Sequence, residues 1–489
     1  MTSSQRGKHM ETAWGLGGMG MPSWSGVERG SSWSGCVFIL SNVLMIGVVG
    51  QIPCAQDVVT GSTRGVELAA QKDCQNGCFG RHSRPSFGIN KMKTLVLLGD
   101  GMGDFPVEEL GNRTPLQAAH APTMRRIAAA GEVRMVSTVP EGLPPGSDVA
   151  NMAILGYDAA LNYTGRAPIE AAGADLPMGA EDVAFRCNLV TVQDGVMVDY
   201  SAGHISTEEA AELIEALQVG LGTEGLAFHV GVQYRHLLIW KGGAADAFCM
   251  PPHEISDRAV AEHLPDGAGA EAIQELMERS KAILAAHPVN QRRVAEGKAP
   301  ATQIWLWGQG PSMQLDSYQA LYGLKGGIVS AVDLLKGLAK LAGLEAPTVE
   351  GATGLIDTNY AGKVAAAQEI LMREDFAYLH IEAPDECGHL GDAALKTEAI
   401  ERFDAQVCAP MLAWLEERGE PYQVIVTMDH RTPVSLKGHC SDPVPMAHLC
   451  GPVGTVSKEL PFDETVNNGI SQGMACAWMQ EILNSSADG

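Results

Sequence analysis

The segment Val424–Pro445, VIVTMDHRTPVSLKGHCSDPVP, decides the class of fold that we expect for this chain. Its first residues, Val424–Thr427, form an apolar run with the length and composition of a buried β-strand. The strand leads into an adjacent carboxylate and imidazole, Asp429 and His430, and His439 follows nine positions after His430. Such a strand end suits either a solvated loop or one part of a metal site. The metal interpretation needs further ligands from elsewhere in the chain.

Two other predicted strands end in a similar way. Thr94–Leu98 is followed by Asp100 among glycines, and Phe376–Ile381 is followed by Asp385 and His389. In open α/β sheets, ligands bind outside the carboxyl ends of the strands. We therefore expect the polar side chains that follow all three strands to meet at one edge of a sheet.

The order of elements predicts an α/β fold. From Met92 onward, strand-like runs alternate with helical patterns, which favours a mostly parallel sheet with helices on both faces. The middle of the chain differs, because short strands such as Leu189–Val192 lie among helices such as Ala270–Ala286. This pattern predicts an inserted α+β cap domain. The expected division is residues 92–172 for the first part of the core, 173–299 for the cap and 300–489 for the second part of the core.

The first 91 residues lack this alternation and are rich in Gly, Ser and Trp. Only Val37–Gly50 is strongly apolar, and its 14 residues are fewer than the roughly 20 of a membrane span. The run would suit the hydrophobic region of a signal peptide, although the stretch before it is unusually long. We predict that residues 1–91 form a disordered extension ahead of a candidate start at Met92, with export as the alternative.

Composition narrows the choice of partners and compartment. The formal net charge of −24 repels nucleic-acid backbones, so we expect no nucleic-acid partner, and we expect no membrane partner. A small anionic substrate would need a local pocket of cationic groups or metal ions. The cysteines that follow Met92 are scattered without C-x-x-C pairs, which is typical of reduced thiols and predicts a cytoplasmic protein.

The side chains after the three strands form a mixed set of carboxylates and imidazoles. Such a set suits Zn²⁺ or Mn²⁺, whereas Mg²⁺ prefers oxygen ligands alone. The number of ligands exceeds the need of one ion, which favours two divalent ions about 4 Å apart. The candidate ligands are Asp100, Asp385, His389, Asp429, His430 and His439.

A candidate nucleophile lies in Leu143–Asp158, LPPGSDVANMAILGYD. The Pro-Pro-Gly bend leads to Ser147, and a helix-like run follows. A serine at a helix start is usually a capping residue. Beside metal ions, however, its hydroxyl could ligate an ion, lose its proton and attack phosphorus, while backbone N–H groups at the helix start hold the phosphate.

Taken together, these motifs resemble the alkaline phosphatase superfamily and, more narrowly, the archaeal-type cofactor-independent phosphoglycerate mutases. The motifs DGMGD, PPGSDVAN, APDECGH, MDH and H-x-x-D-P-V-P occur in the order of that family. The resemblance extends from about Met92 to the C-terminus and implies an alkaline-phosphatase-like core with an inserted cap.

The resemblance also implies roles for these residues, by position. One ion would be bound by Asp100, Ser147, Asp429 and His430, and the other by Asp385, His389 and His439. The ions in the family are commonly Mn²⁺, Mg²⁺ or Zn²⁺. Ser147 would take the phosphoryl group from 3-phosphoglycerate and return it to the 2-hydroxyl of glycerate, without 2,3-bisphosphoglycerate. The cap would retain glycerate and exclude water.

Four further residues are predicted to bind the substrate. His204, in DYSAGHIS, resembles the histidine of the family that handles a proton or holds the phosphate. Arg235, Lys325 and Arg166 would supply positive charge for the carboxylate and the phosphate. Arg235 could equally be a structural ion-pair partner.

Other functions remain open from the sequence. Close relatives within this group have been proposed as homoserine kinases, and PPGSDVANMAILGYD with YTGRAPIEAA resembles that subgroup. The chain has no G-x-x-x-x-G-K-[ST] nucleotide motif. A metal-dependent phosphomonoesterase would result if the cap failed to retain the product. A metal-bound scaffold without catalysis is disfavoured because Ser147 and all the predicted metal ligands are present. The oligomeric state is not predicted.

Overall fold

The computed structural model describes residues 92–452 and 460–485. The disordered extension predicted for residues 1–91 lies outside the described residues. Eleven strands occur in the described part of the chain. In chain order they are β1 (Lys93–Gly99), β2 (Glu132–Val136), β3 (Asp182–Gln193), β4 (Val196–Asp199), β5 (Leu226–Val232), β6 (Arg235–Lys241), β7 (Gln303–Pro311), β8 (Gly326–Val329), β9 (Phe376–Ile381), β10 (Tyr422–Thr427) and β11 (Val444–Gly451).

Six of these strands form the first sheet, in the order β2-β11-β10-β1-β9-β8. Strand β1 pairs in parallel with β10 and β9, and β8 pairs in parallel with β9. Strands β11 and β2 add an antiparallel edge. Every residue of β9 and β10 is buried, as expected for strands covered by helices on both faces. The predicted α/β class with a mostly parallel sheet is confirmed.

The α-helices follow the apolar periodicity of the sequence. In α10 (Asp333–Leu341), Leu334, Leu335 and Leu338 are buried, whereas Lys336 and Lys340 lie on the outer side. The helices are α1 (Pro115–Ala118), α2 (Pro122–Ala130), α3 (Ser147–Ile154), α4 (Ala159–Asn162), α5 (Arg166–Gly173), α6 (Thr207–Leu221), α7 (Ala270–Ala286), α8 (Pro288–Ala295), α9 (Tyr318–Tyr322), α10 (Asp333–Leu341), α11 (Tyr360–Arg373), α12 (Ala383–Leu390), α13 (Ala393–Phe403), α14 (Ala409–Arg418) and α15 (Ala475–Ser485). None of the helices within 92–452 and 460–485 has the length and hydropathy needed to cross a membrane.

The second sheet has an antiparallel arrangement and its own hydrophobic core. Strands β4, β3, β6 and β5 are neighbours in that order, and β7 pairs with the long strand β3. Helix α6 packs against β5, and α7 packs against β7 and α6. The core between them includes Phe185, Leu213, Ile273 and Trp305, all of which are buried.

We propose that this second sheet and its helices are the cap domain expected from the sequence. The pairing of β7 with β3 places Gln303–Pro311 in the second sheet. This observation corrects the boundary expected between residues 299 and 300, because a strand that completes the cap sheet belongs to the cap. The proposed cap therefore extends to about Pro311, and the second part of the core begins after it.

Candidate active site

The parallel strands β1, β9 and β10 are neighbours, so their carboxyl ends lie at one edge of the first sheet. Asp100 directly follows β1, Asp385 lies in the first turn of α12 after β9, and Asp429 lies just after β10. All three carboxylates are buried. The structure thus brings together the three aspartates that were singled out in the sequence.

Asp100 is 2% exposed and contacts two imidazoles. Its Oδ2 lies 2.9 Å from Nε2 of His380, and its Oδ1 lies 3.5 Å from Nε2 of His430. Oδ1 has no hydrogen-bond partner in the described part of the chain. Burial, together with the charges of Asp429 and Asp385, raises the pKa of Asp100 well above its usual value. A cation at this oxygen would replace the hydration that burial removes.

Asp429 is held in place by three donors. Its Oδ1 accepts hydrogen bonds from the backbone N–H groups of Gly101 (3.0 Å) and His430 (2.9 Å). Its Oδ2 accepts a hydrogen bond of 2.9 Å from the side-chain amide of Asn151. The hydroxyl of Tyr378 in turn donates to Oδ1 of Asn151 at 2.5 Å, which fixes the orientation of that amide. The sequence motif PPGSDVAN therefore supports Asp429 as well as supplying Ser147.

Ser147 is the first residue of α3, and Gly146 occupies the N-cap position without a side-chain cap. The Oγ of Ser147 instead lies 3.1 Å from Nε2 of His430. Asn151 binds the backbone carbonyl of Ser147 at 2.9 Å and so links the serine to Asp429. The serine hydroxyl therefore points at the Asp/His side chains rather than capping its own helix.

A second group of ligand atoms surrounds Asp385. Its Oδ2 lies 3.2 Å from Nε2 of His389, one helical turn later in α12, and its Oδ1 lies 3.5 Å from Nε2 of His439. The Nε2 atoms of His389 and His439 are 3.0 Å apart. Burial opposes ionisation of Asp385, but the hydrogen bonds from His389 and His439 outweigh it and hold its pKa well below its usual value.

The candidate ligand atoms form three overlapping groups, each within a span of 4.8 Å. The groups are Asp385, His389 and His439; Asp100, Asp385 and His430; and Asp100, His380 and Asp429. Three buried carboxylates with no lysine or arginine in contact with them among the described residues would be unstable without cations. The donor set therefore fits divalent ions, and it contains more donors than a single ion needs.

His380 is the member of these groups that the sequence analysis missed. It lies inside β9, in the run FAYLHI, and is completely buried. Its Nδ1 lies 3.1 Å from the hydroxyl of Ser330 at the end of β8. Burial lowers the pKa of His380 to about 3, so the ring is neutral. The signal in the sequence was a polar residue near the end of an apolar strand. His380 was counted only as part of the predicted strand, so it was not considered as a ligand.

Two of the predicted substrate residues belong to a cluster of three arginines, Arg166, Arg186 and Arg235, which we call the arginine cluster. Glu170 joins two of them, with its carboxylate 3.0 Å from Nε of Arg166 and 2.9 Å from Nε of Arg186. Arg235 begins β6, and its charge also acts on Glu170. The cluster was partly visible in the sequence, because Arg186 interrupts the apolar run VAFRCNLV.

The arginine cluster lies within electrostatic range of the edge of the first sheet that carries the Asp/His side chains, which we call the metal-ligand edge. The charge of Arg166 acts on Glu382, and the charge of Arg235 acts on Glu386. Both glutamates flank Asp385 in the segment that follows β9. The second sheet and α5 therefore present positive charge toward the edge of the first sheet that carries the Asp/His side chains.

His204 is exposed and lies in the turn that follows β4, with φ of 47°. Its backbone N–H donates to Oγ of Ser201 at 3.1 Å. Within the described ranges, no hydrogen bond or ion pair joins His204 to the Asp/His side chains or to the arginine cluster. Its predicted role in substrate binding stays a prediction.

Lys325 lies away from the Asp/His side chains, and its predicted role in substrate binding stays a prediction. Lys325 is exposed and immediately precedes β8, where its carbonyl accepts hydrogen bonds from the N–H groups of Asp375 and Phe376. Because β8 and β9 are parallel, Lys325 lies at the amino edge of the sheet, opposite the Asp/His side chains. Strand β8 was not predicted from the sequence, so the edge of the sheet at which this lysine lies was not predicted either.

The fold and the site define a class of metal-dependent α/β enzymes, with buried carboxylates and imidazoles beside a serine at a helix start. Residues 128–290 match the family model described as 2,3-bisphosphoglycerate-independent phosphoglycerate mutase. The protein of that name from Methanosarcina mazei is 49% identical over 388 residues, which cover 79% of this chain and 98% of the relative. The chain belongs to the family of 2,3-bisphosphoglycerate-independent phosphoglycerate mutases.

Two solved structures share the fold, and one of them is a cofactor-independent phosphoglycerate mutase. The PH0037 protein from Pyrococcus horikoshii is 29% identical, with a TM-score of 0.67 and coverage of 81% of this chain and 98% of that one. A cofactor-independent phosphoglycerate mutase from Thermoplasma acidophilum is 28% identical, with a TM-score of 0.53 and coverage of 81% of this chain and 100% of that one. The similarity covers nearly the whole of both solved chains.

Proposed function

We propose that this chain interconverts 3-phosphoglycerate and 2-phosphoglycerate through a phosphoserine at Ser147, without 2,3-bisphosphoglycerate. The observation that carries the proposal is the position of the Ser147 hydroxyl, 3.1 Å from His430 at the buried Asp/His edge. Membership of the mutase family supports the choice of substrate.

The groups of ligand atoms support a site for two divalent ions. Asp385, His389 and His439 would hold one ion, and Asp100, Ser147, Asp429 and His430 would hold the other, with His380 as a further donor beside Asp100. Mn²⁺, Mg²⁺ and Zn²⁺ are the candidates, and the imidazoles favour Mn²⁺ or Zn²⁺. Bound ions would neutralise charge on the phosphoryl oxygens and lower the pKa of the Ser147 hydroxyl.

The two covalent steps transfer a single phosphoryl group, first to Ser147 and then back to glycerate, so no second phosphate donor is needed. Oγ of Ser147 forms a bond to phosphorus while the bond between phosphorus and O3 of the substrate breaks, and the serine proton ends on O3. The 2-hydroxyl of the glycerate then forms a bond to phosphorus while the bond between phosphorus and Oγ of Ser147 breaks, and the hydroxyl proton ends on Oγ. The products are 2-phosphoglycerate and the unmodified serine, so one site performs both transfers.

The proposed cap and α5 supply positive charge, which the metal-ligand edge of the first sheet lacks. The metal-ligand edge is rich in carboxylates, whereas the arginine cluster faces it from α5 and the second sheet. Guanidinium groups bind carboxylates and phosphates in a bidentate manner. The cap would hold the glycerate between the two transfers and exclude the water that would otherwise hydrolyse the phosphoserine.

The proposed partner is therefore a small phosphorylated acid rather than a macromolecule. The net charge of −24 disfavours nucleic acids. The seven cysteines of the described residues are free thiols, which suits a reducing compartment, and we propose the cytoplasm.

A coupled assay tests the proposed function. The chain is loaded with Mn²⁺ and given 3-phosphoglycerate without bisphosphoglycerate, and enolase converts any 2-phosphoglycerate to a product that absorbs ultraviolet light. We expect steady turnover, and we expect Ser147→Ala to reduce it by at least about a thousandfold because the nucleophile is lost.

Inorganic phosphate is measured in the same samples. Release of phosphate without 2-phosphoglycerate would replace the mutase with a phosphomonoesterase. Full turnover by Ser147→Ala would reject the serine mechanism. A folded, metal-loaded chain that gives neither product would reject phosphoglycerate as the substrate.

A further inference from the structure

Four rings form a continuous contact series on the second sheet, Tyr234, Tyr200, His253 and Trp307, which we call the aromatic series. The ring of Tyr200 packs edge-on against Tyr234 at 5.7 Å and against His253 at 6.2 Å between centroids. The ring of His253 packs edge-on against Trp307 at 5.4 Å. Such contacts fix the orientation of each ring. The imidazole of His253 is therefore held in a defined position by its neighbours.

The aromatic series connects directly to the arginine cluster. The guanidinium of Arg186 lies 4.3 Å from the ring centroid of Trp307, a cation–π contact. Nε1 of Trp307 donates to Oδ1 of Asn188 at 3.2 Å, which fixes the indole from its other side. His253 thus lies one ring away from the arginine cluster.

The backbone of His253 is also anchored. It lies in a short 3₁₀ turn, Pro252–Ile255, whose end residues Pro252 and Ile255 are buried, whereas His253 itself remains accessible. In the described part of the chain, no group forms a hydrogen bond with either ring nitrogen of His253. The ring is fixed by packing, and both of its polar atoms are available to a ligand.

His253 lies within electrostatic range of both the arginine cluster and the Asp/His side chains. Arg186 and Arg166 act on it from the arginine cluster, and the candidate metal ligands His439 and His389 also act on it. Neighbouring protein atoms partly shield this accessible ring from water, and this desolvation, followed by the positive charge of these neighbours, lowers the pKa of His253 to about 4. At neutral pH the ring therefore offers one donor and one acceptor and no net charge.

We propose that His253 is a further substrate-contacting residue, which hydrogen-bonds a hydroxyl of the glycerate between the two phosphoryl transfers. The inference rests on the proposed function. A neutral imidazole suits this role, because it can bind a hydroxyl as donor or acceptor without holding an anion in one orientation. Glycerate must turn to present its other hydroxyl, and the arginine cluster alone would favour one orientation.

The variant His253→Phe tests this role, since it keeps an aromatic ring against Tyr200 and Trp307 and removes both nitrogens. We expect kcat/KM in the coupled assay to fall roughly 3- to 10-fold, the effect of one neutral hydrogen bond. We also expect a larger share of turnover to end as inorganic phosphate, because glycerate is held less well. A purely structural role would not change that share.

The matched control is His263→Phe. His263 belongs to the same proposed cap, and its ring contacts no other ring among the described residues. It should behave like the wild type, and His253→Asn, which retains a donor and an acceptor, should recover part of the loss. If His253→Phe melts well below the wild type, His253→Leu replaces it in the comparison.

The outcomes separate the two proposals. If the wild type converts phosphoglycerate and His253→Phe matches His263→Phe in both rate and phosphate release, the inference about His253 is overturned and the proposed function stands. If the wild type does not convert phosphoglycerate, the proposed function fails and the inference falls with it.

Discussion

The hydroxyl of Thr432 contacts two candidate metal ligands. It donates a hydrogen bond to Oδ1 of Asp385, and it lies 3.2 Å from Nδ1 of His430. The backbone carbonyl of Thr432 accepts a hydrogen bond of 2.8 Å from the buried ammonium of Lys396, which fixes its position. A group of this kind orients the ligands without touching an ion itself.

We predict that Thr432→Val weakens metal binding about 10- to 100-fold, the usual effect of losing a partner of a ligand. Valine has nearly the same shape, so the fold should be retained. The measurement is a titration of the metal-free chain with Mn²⁺, followed by calorimetry. Thr397→Val is the matched control, because among the described residues the Thr397 hydroxyl binds only the carbonyl of Ala393 in α13. Equal Mn²⁺ affinities in the two variants would contradict the role of Thr432.

Some residues of the candidate site could be predicted from the sequence to lie together, and others could not. Asp100 and Asp429 were predictable as neighbours because each follows a strand, and parallel strands end at one edge. His380 was missed because a histidine within an apolar strand gives no sign of which buried partner it meets. The edge of the sheet at which Lys325 lies was not predicted, because the direction of its strand in the sheet decides which edge a flanking residue occupies.

At the scale of elements, the turn after β1 determines how closely β1 and α12 approach. Gly101 has φ of 59°, a conformation that favours glycine. A Cβ at this position would lie 2.5 Å from Oδ1 of Asp385 and 2.6 Å from the hydroxyl of Thr432. Gly101, the first glycine of DGMGD, therefore allows both the turn after β1 and the close packing of the candidate ligand Asp385.

We predict that Gly101→Ala both destabilises the fold and impairs metal binding. Gly111→Ala separates these effects, because Gly111 has a similar φ of 69° and open space where the added Cβ would lie. Both variants should lose about 1–2 kcal/mol in urea unfolding from the left-handed backbone, and Gly101→Ala alone should bind Mn²⁺ more weakly. Metal binding that is equally strong in both variants would show that Asp385 adjusts freely.

Element order was more predictable than element boundaries. The alternation of strands and helices indicated the first sheet, since buried parallel strands such as β9 and β10 are continuous apolar runs. The end of the proposed cap was not visible, because β7 reaches its partner β3 across more than a hundred residues of sequence. Pairing over that distance leaves no local signal.

For the molecule as a whole, the edge of the first sheet concentrates negative charge within an acidic protein. Asp100, Asp385 and Asp429 are buried together, and the chain carries a net charge of −24. Bound cations would remove this repulsion, so metal binding and folding stability should be coupled.

We predict that chelation lowers the melting temperature and that Mn²⁺ restores it. With free ion at about 100 times its dissociation constant, the expected stabilisation is about 3 kcal/mol. Differential scanning calorimetry of the chelated and reloaded chain measures the shift, and Asp385→Asn should lose most of the response. Identical melting curves with chelator and with Mn²⁺ would contradict a metal site at this edge.

The most direct measurement is the chemical state of Ser147 during turnover. The metal-loaded chain is mixed with 3-phosphoglycerate, quenched in acid and digested, and the peptide that contains Ser147 is analysed by mass spectrometry. We predict a phosphoryl group on Ser147 that is absent without substrate. A chain that forms 2-phosphoglycerate while Ser147 stays unmodified, or that carries the phosphoryl group on another residue, would contradict the proposed mechanism.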